Sequence, residues 1–111
     1  MTSRTQIIYL TFYLFIYNLF LLFYTEEPKV LTKPISQRMK EGSTVFINLQ
    51  VEGFPPPQFQ WYKNGYTMDG VTGQSLIMDN VNQTHSGTYS CEVQNIAGGL
   101  IWLEATIVVF P

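Results

Sequence analysis

The chain has 111 residues, with six Lys and Arg against eight Asp and Glu and a formal net charge of −2. That length suits one domain, and the absence of a basic excess argues against a nucleic-acid partner. Eight aromatics (Tyr9, Phe12, Tyr13, Phe15, Tyr17, Phe20, Phe23 and Tyr24) fall within the first 24 positions. The composition therefore divides into a hydrophobic segment, 1–25, and a mixed segment, 26–111.

In the first segment, Ile7 to Tyr24 is an uncharged run, preceded by Arg4 and followed by Glu26 and Glu27. As a helix it would reach about 27 Å at about 1.5 Å per residue, close to a thin bilayer core and short of the usual ~20-residue span. It reads as a membrane-inserting segment, either signal anchor or signal peptide. The run exceeds the roughly 7 to 15 residues of a cleaved signal, and no small-residue cleavage site occurs over Phe20 to Thr25, which favours the anchor. Tyr9, Thr11, Tyr13, Tyr17 and Asn18 weaken insertion. A run that never meets a membrane is the other reading.

The second segment carries five of the six basic residues and all eight acidic ones. It alternates apolar and polar positions in short runs broken by turn residues, a pattern that favours an antiparallel sandwich of about seven strands over helices. Val45, Ile47, Leu49 and Val51 alternate with Phe46, Asn48, Gln50 and Glu52, so one face of this strand is a core face. Gly53 and the prolines at 55–57 end it, because Pro has no N–H for a sheet ladder. Phe59 and Trp61 then alternate with Gln58, Gln60 and Tyr62, giving a second strand with a buried Trp. Lys63-Asn64-Gly65 supplies a turn. Residues 66–73 read as loop or weak edge strand, after which Leu76, Met78 and Val81 resume the apolar pattern. Tyr89, Cys91 and Val93 share one face of the next strand. Asn95 to Gly99 is a hairpin connection, and Leu103, Ala105, Ile107 and Val109 point inward from the last strand.

Four spaced motifs, Gly53-Phe54-Pro55-Pro56-Pro57, Trp61-Tyr62-Lys63-Asn64-Gly65, Ser86-Gly87-Thr88-Tyr89-Ser90-Cys91 and Asn95 with Ala97-Gly98, together resemble an immunoglobulin domain of the I-set type over about Pro28 to Phe110. Similar domains occur in adhesion proteins and in muscle proteins such as titin and twitchin. The resemblance implies an all-β antiparallel sandwich behind the hydrophobic helix. It also implies a structural core containing Leu49, Trp61, Leu76, Tyr89 and Cys91, with Trp61 as core tryptophan and Tyr89 as the tyrosine of the corner.

Two departures from the family stand out. Cys91 occupies the second position of the inter-sheet disulfide, but Leu49 holds the first, and Cys91 is the single cysteine in the chain. No bridge forms, and Cys91 is expected as a buried thiol behaving like a small hydrophobe. A domain without the pair suits a reducing compartment. At His85 the family usually has an Asp that pairs with a basic residue on a neighbouring strand, so that ion pair is absent or altered.

One His and one Cys give no metal cluster and no nucleophile with a base, and no Gly-rich phosphate loop is present. The expectation is no enzyme, no cofactor, no metal and no small-molecule substrate. What remains is protein binding. The outward positions Gln58, Gln60, Tyr62, Ser90, Glu92, Gln94, Trp102, Glu104 and Thr106 make one face if their strands are neighbours, as in the family. Tyr62, Glu92, Trp102 and Glu104 are its candidate binding residues, because Trp and Tyr are enriched at interface hot spots.

Asn82-Gln83-Thr84 is a candidate glycosylation triplet, usable if the domain faces the secretory lumen. The basic residues weigh the other way: Arg4 stands before the hydrophobic run and Lys29, Lys33, Arg38 and Lys40 after it, which favours a cytoplasmic domain if the run spans. Two functions are carried forward. One is an adhesion or receptor-type module anchored in the membrane through 7–24. The other is an intracellular muscle or cytoskeletal module, one bead of a longer tandem chain with neighbouring domains of the same kind.

Overall fold

The structure, a computed structural model, describes residues 3–111, the side chains of 21 and 22 excepted. The chain opens with helix α1, Arg4–Phe23. Ser3 starts it with a reciprocal cap, its hydroxyl accepting from Gln6 N at 3.2 Å while the Gln6 side chain accepts from Ser3 N at 3.3 Å, which satisfies two free helix-end donors. Neither Gly nor Pro interrupts the run until Pro28. Tyr24 leaves the helix in an extended conformation, stacks on Phe20 at 5.3 Å and tilts against Phe54 at 5.5 Å.

Among the described residues no helix is long and apolar enough to cross a membrane. The membrane span expected over 7–24 is therefore not supported. The physical reason is the one that weakened it in the sequence, since Tyr9, Thr11, Tyr13, Tyr17 and Asn18 place hydroxyl and amide groups along the run that a hydrocarbon phase disfavours relative to Leu or Ile.

After the helix come nine strand segments: β1 (Glu26–Thr32), β2 (Gln37–Lys40), β3 (Val45–Asn48), β4 (Gln50–Phe54), β5 (Gln58–Lys63), β6 (Tyr66–Thr67), β7 (Ser75–Met78), β8 (Gly87–Asn95) and β9 (Gly98–Phe110). One layer is a five-stranded sheet in the order β2-β9-β8-β5-β6. All its pairings are antiparallel except β2 with β9, which run parallel from Gln37 opposite Ile107 to Lys40 opposite Phe110. The other layer comprises the antiparallel pairs β1 with β4 and β3 with β7.

β3 and β4 are the single strand expected from Val45 to Glu52, interrupted at Leu49. Leu49 N donates not to a neighbouring strand but to Gln74 O at 3.3 Å, and the Gln74 side chain returns a bond to Leu49 O. The alternation survives the break: Val45, Ile47 and Leu49 are buried and Phe46 is exposed.

The core lies between the layers, where period-two alternation in each facing strand sends every second side chain inward. Trp61, Tyr89, Ile47, Leu49, Ile107 and Cys91 are among its fully buried members, and Leu76 belongs to the same cluster. Cys91 is a free thiol, and burial pushes its pKa up to about 12. Trp61 satisfies its ring N–H by donating to Gly73 O at 2.8 Å, as a buried indole requires.

The stretch read as loop or weak edge strand contains the two-residue β6 and then a loop held on β5 by Gln60. The Gln60 amide donates to Met68 O at 2.9 Å and to Trp61 O at 3.1 Å. The alternation in segment 26–111 favours strands over helices. The segment holds one helical element, the 3-10 turn Gln83–His85 between β7 and β8.

Candidate functional surface

Strand order β9-β8-β5 brings the outward positions together. Gln58 stands opposite Gln94, Gln60 opposite Glu92 and Tyr62 opposite Ser90, while Ser90 faces Glu104, Glu92 faces Trp102 and Thr88 faces Thr106. Tyr62, Glu92, Trp102 and Glu104 thus share one face. The Tyr62 and Trp102 rings meet at 5.2 Å with planes inclined by 54°. The Tyr62 hydroxyl donates to the Glu92 carboxylate at 3.1 Å, and that hydrogen bond raises the Tyr62 pKa above its ordinary value. Trp102 keeps 54% of its surface exposed despite this packing.

Beside Glu92 an open cleft of about 480 Å³ is lined by Pro57, Gln58, Phe59, Gln60, Thr72, Glu92 and Gln94. None of the nine outward positions is Lys or Arg, so the face is aromatic, amide-rich and acidic.

The corner below this face is built differently from the family pattern. The Tyr89 hydroxyl donates to His85 O at 2.6 Å, the corner bond that the resemblance implied for Tyr89. Where the family has Asp, His85 uses Nδ1 to accept from Asn82 N at 2.9 Å. Lys63, lacking a carboxylate there, donates its ammonium to Thr84 O and lies 5.8 Å from the centre of the Tyr89 ring. A cation over an aromatic face is attracted by the ring quadrupole, so Lys63 bridges strand and corner without an ion pair. Sequence reading missed this role. Asn82 itself is exposed, at the start of the 3-10 turn.

A second exposed apolar patch, also unmarked in the sequence analysis, lies on the opposite layer. Phe46 and Ile77 are directly paired across β3 and β7 and are 51% and 58% exposed. The signal was available, because Phe46 falls at an outward position of the alternation. Among the described residues no group of three or more His, Cys, Asp or Glu could hold a metal ion.

A family model described as "Immunoglobulin domain" matches residues 27–95. The chain belongs to this family. It is similar to the human peroxidasin homolog, 27% identical over 93 residues, covering 77% of this chain and 6% of that protein. Among solved structures it resembles a chain of the titin M10–obscurin like 1 Ig complex, with 26% identity, a TM-score of 0.68 and coverage of 77% of this chain and 95% of that one. It also resembles Drosophila OTK extracellular domains 3–5, with 26% identity, a TM-score of 0.68 and coverage of 78% and 33%. The chain spans less than a tenth of the length of the curated relatives first matched. Immunoglobulin domains are in general non-catalytic protein-interaction modules, and the matches include both the extracellular domains of OTK and smooth-muscle myosin light chain kinase of Gallus gallus.

Proposed function

We propose that this immunoglobulin domain is a non-catalytic protein-binding module whose contact surface is the face bearing Tyr62, Glu92, Trp102 and Glu104. The observation that carries the reading is the half-exposed Trp102, held by Tyr62 over the central strand of a three-stranded face. Trp and Tyr at the centre of a patch bury large area at little entropic cost. With Glu92 and Glu104 beside them and no basic side chain among the nine outward positions of β5, β8 and β9, the complementary partner presents to this part of the sheet Arg or Lys, whose cations suit both carboxylates and aromatic faces.

In this reading the module is of the adhesion or receptor type and stands on the lumenal or extracellular side. Likeness to the OTK extracellular domains supports that side. Likeness to a titin M10–obscurin like 1 Ig complex supports a second reading, an intracellular structural module that docks other immunoglobulin domains.

The test is photo-crosslinking of the full chain in cells, with the reactive group at Trp102 or, as control, at Ile77, and identification of the captured protein. Crosslinks confined to position 102, to a protein outside the cytosol, support the first reading. Crosslinks confined to position 77 overturn the choice of face.

A further inference from the structure

The turn that joins β7 to β8 is pinned at both ends. Val81 is fully buried in front of it, and behind it the Tyr89 hydroxyl holds His85 O. Between these anchors Asn82, Gln83 and Thr84 are all exposed. The two ends of the Asn82 carboxamide are used very differently. Its Oδ1 accepts from Thr84 N at 2.9 Å and from the Thr84 hydroxyl, while Nδ2 makes no hydrogen bond among the described residues.

That division matters chemically. N-linked glycosylation replaces one hydrogen of the side-chain nitrogen and leaves the carbonyl oxygen alone. A sugar on Asn82 would thus leave intact the Oδ1 bonds that cap the turn, and also the bond from Asn82 N to His85 Nδ1.

Asn95 and Asn64 offer the contrast. The Asn95 amide nitrogen is consumed by Glu26 O at 2.7 Å and Pro55 O at 3.0 Å. Asn64 sits against Gly87 with its Oδ1 on Thr88 N. Neither is followed two residues later by Ser or Thr, and Asn82 is the one asparagine in the sequence that is.

The site also leaves the proposed contact face open. The turn meets the sheet at the Lys63 end, through the Lys63 bond to Thr84 O, whereas Trp102 pairs with Glu92 farther along β8. Gly87 and Glu92 are separated by about 17 Å of strand at ~3.3 Å per residue.

We propose that Asn82 is an N-glycosylation site and carries an oligosaccharide in the mature protein, an inference that rests on the lumenal or extracellular placement proposed above. In the transfer step Nδ2 attacks C1 of the first sugar of a lipid-pyrophosphate-linked oligosaccharide. The Nδ2–C1 bond forms and the C1–O bond to pyrophosphate breaks. The lipid pyrophosphate leaves with the bonding pair, and the amide proton passes to a base of the transferase.

The full chain, bearing an additional Asn-Gly-Thr acceptor appended after Pro111, is expressed in animal cells and treated with an amidase that releases the glycan and leaves aspartate. Peptide mass spectrometry reads each site directly, so a variant that misfolds cannot imitate the result. Aspartate at position 82 after treatment, together with loss of one gel mobility step in Asn82→Gln, is the expected result. Modification of the appended acceptor with Asn82 untouched overturns the site and leaves the lumenal placement standing. Neither acceptor modified overturns both.

Discussion

Tyr62 and Trp102 belong to strands that are not neighbours, yet their rings meet at 5.2 Å across β8, which runs between them. The contact is diagonal, because Tyr62 is level with Ser90 and Trp102 with Glu92, and the Tyr62 hydroxyl reaches back to Glu92. Three strands are thereby tied together on their outer side by one aromatic pair and one hydrogen bond. Both rings are fixed in place before any partner arrives, which lowers the entropy lost on binding.

The pair gives the first prediction. Tilted aromatic pairs are worth about 0.5 to 1.5 kcal/mol beyond their area, so a double-mutant cycle of Tyr62→Ala and Trp102→Ala, read by denaturant unfolding, should return a coupling of about that size. Binding should respond far more strongly. Trp102→Ala should weaken the partner complex by about 30-fold or more, the ~2 kcal/mol that defines a hot spot, while Phe46→Ala on the opposite layer should leave affinity unchanged. Equal effects from the two variants would sink the assignment of the face.

The second prediction concerns the buried thiol. Cys91 has an ordinary pKa of 9.0 that burial raises to about 12. At pH 8 the folded protein then holds far less thiolate than the unfolded chain, and alkylation of Cys91 should be much slower in the folded protein than in denaturant. The same shift fixes the direction of pH dependence. Between about pH 9 and 12 the folded state keeps a proton that the unfolded state releases, so stability is complete below pH 9 and falls as pH rises through that window. Burial also raises the Tyr89 pKa, which adds a slope of the same sign above about pH 10. Cys91→Val should remove the part that begins near 9 and leave the tyrosine part. An unchanged slope in that variant would exclude the thiol as its source.

The third prediction restores what the family pattern has and this chain lacks. Leu49 and Cys91 are both fully buried in one cluster. Leu49→Cys should therefore bring a second thiol to the position from which the family bridges the two sheets. Reduced, the variant should lose about 2 to 5 kcal/mol, as large-to-small core changes do. Oxidised, it should recover about 2 to 4 kcal/mol from the bridge and show no free thiol on titration. Failure to oxidise under mild conditions would mean that β3, β4 and β8 have settled at a spacing suited to Leu rather than to a disulfide.

How much of this was legible beforehand depends on the range of the interactions. The alternation of Val45, Ile47 and Leu49, and of Leu103, Ala105 and Ile107, is local and periodic, so the core side of each strand followed directly from the sequence. Lys63-Asn64-Gly65 was equally plain, since Asn64 and Gly65 do adopt positive φ. The break at Leu49 was not, because it arises from bonds to Gln74, 25 residues away. Lys63 over Tyr89 and the Gln60 clamp on the 68–71 loop are likewise long-range polar contacts, and no spacing in the chain announces them. The outward set around Trp102 follows from the alternation as positions, but the contact of Tyr62 with Trp102 requires knowing that β8 lies between their strands.

The last prediction tests the corner through its tightest packing. A Cβ at Gly87 would lie 2.9 Å from Asn64 Oδ1 and 3.0 Å from Asn64 Nδ2. The Asn64 side chain cannot simply swing away, because its Oδ1 accepts from Thr88 N at 2.9 Å while Asn64 N donates to Thr88 O at 2.8 Å. Gly87→Ala must break that exchange or push β8 away from the β5–β6 turn, leaving a backbone donor short of its partner at a cost of about 1 to 3 kcal/mol. Asn64→Gly removes the obstructing side chain and tolerates the positive φ of 50° at that position. It should cost less alone, and in its presence Gly87→Ala should lose the part of its penalty that comes from this contact and keep the part set by the φ of 158° at Gly87. The check is the cycle of both variants by thermal unfolding: a penalty for Gly87→Ala that is undiminished in the Asn64→Gly background would place all of the strain in the backbone and none in this contact.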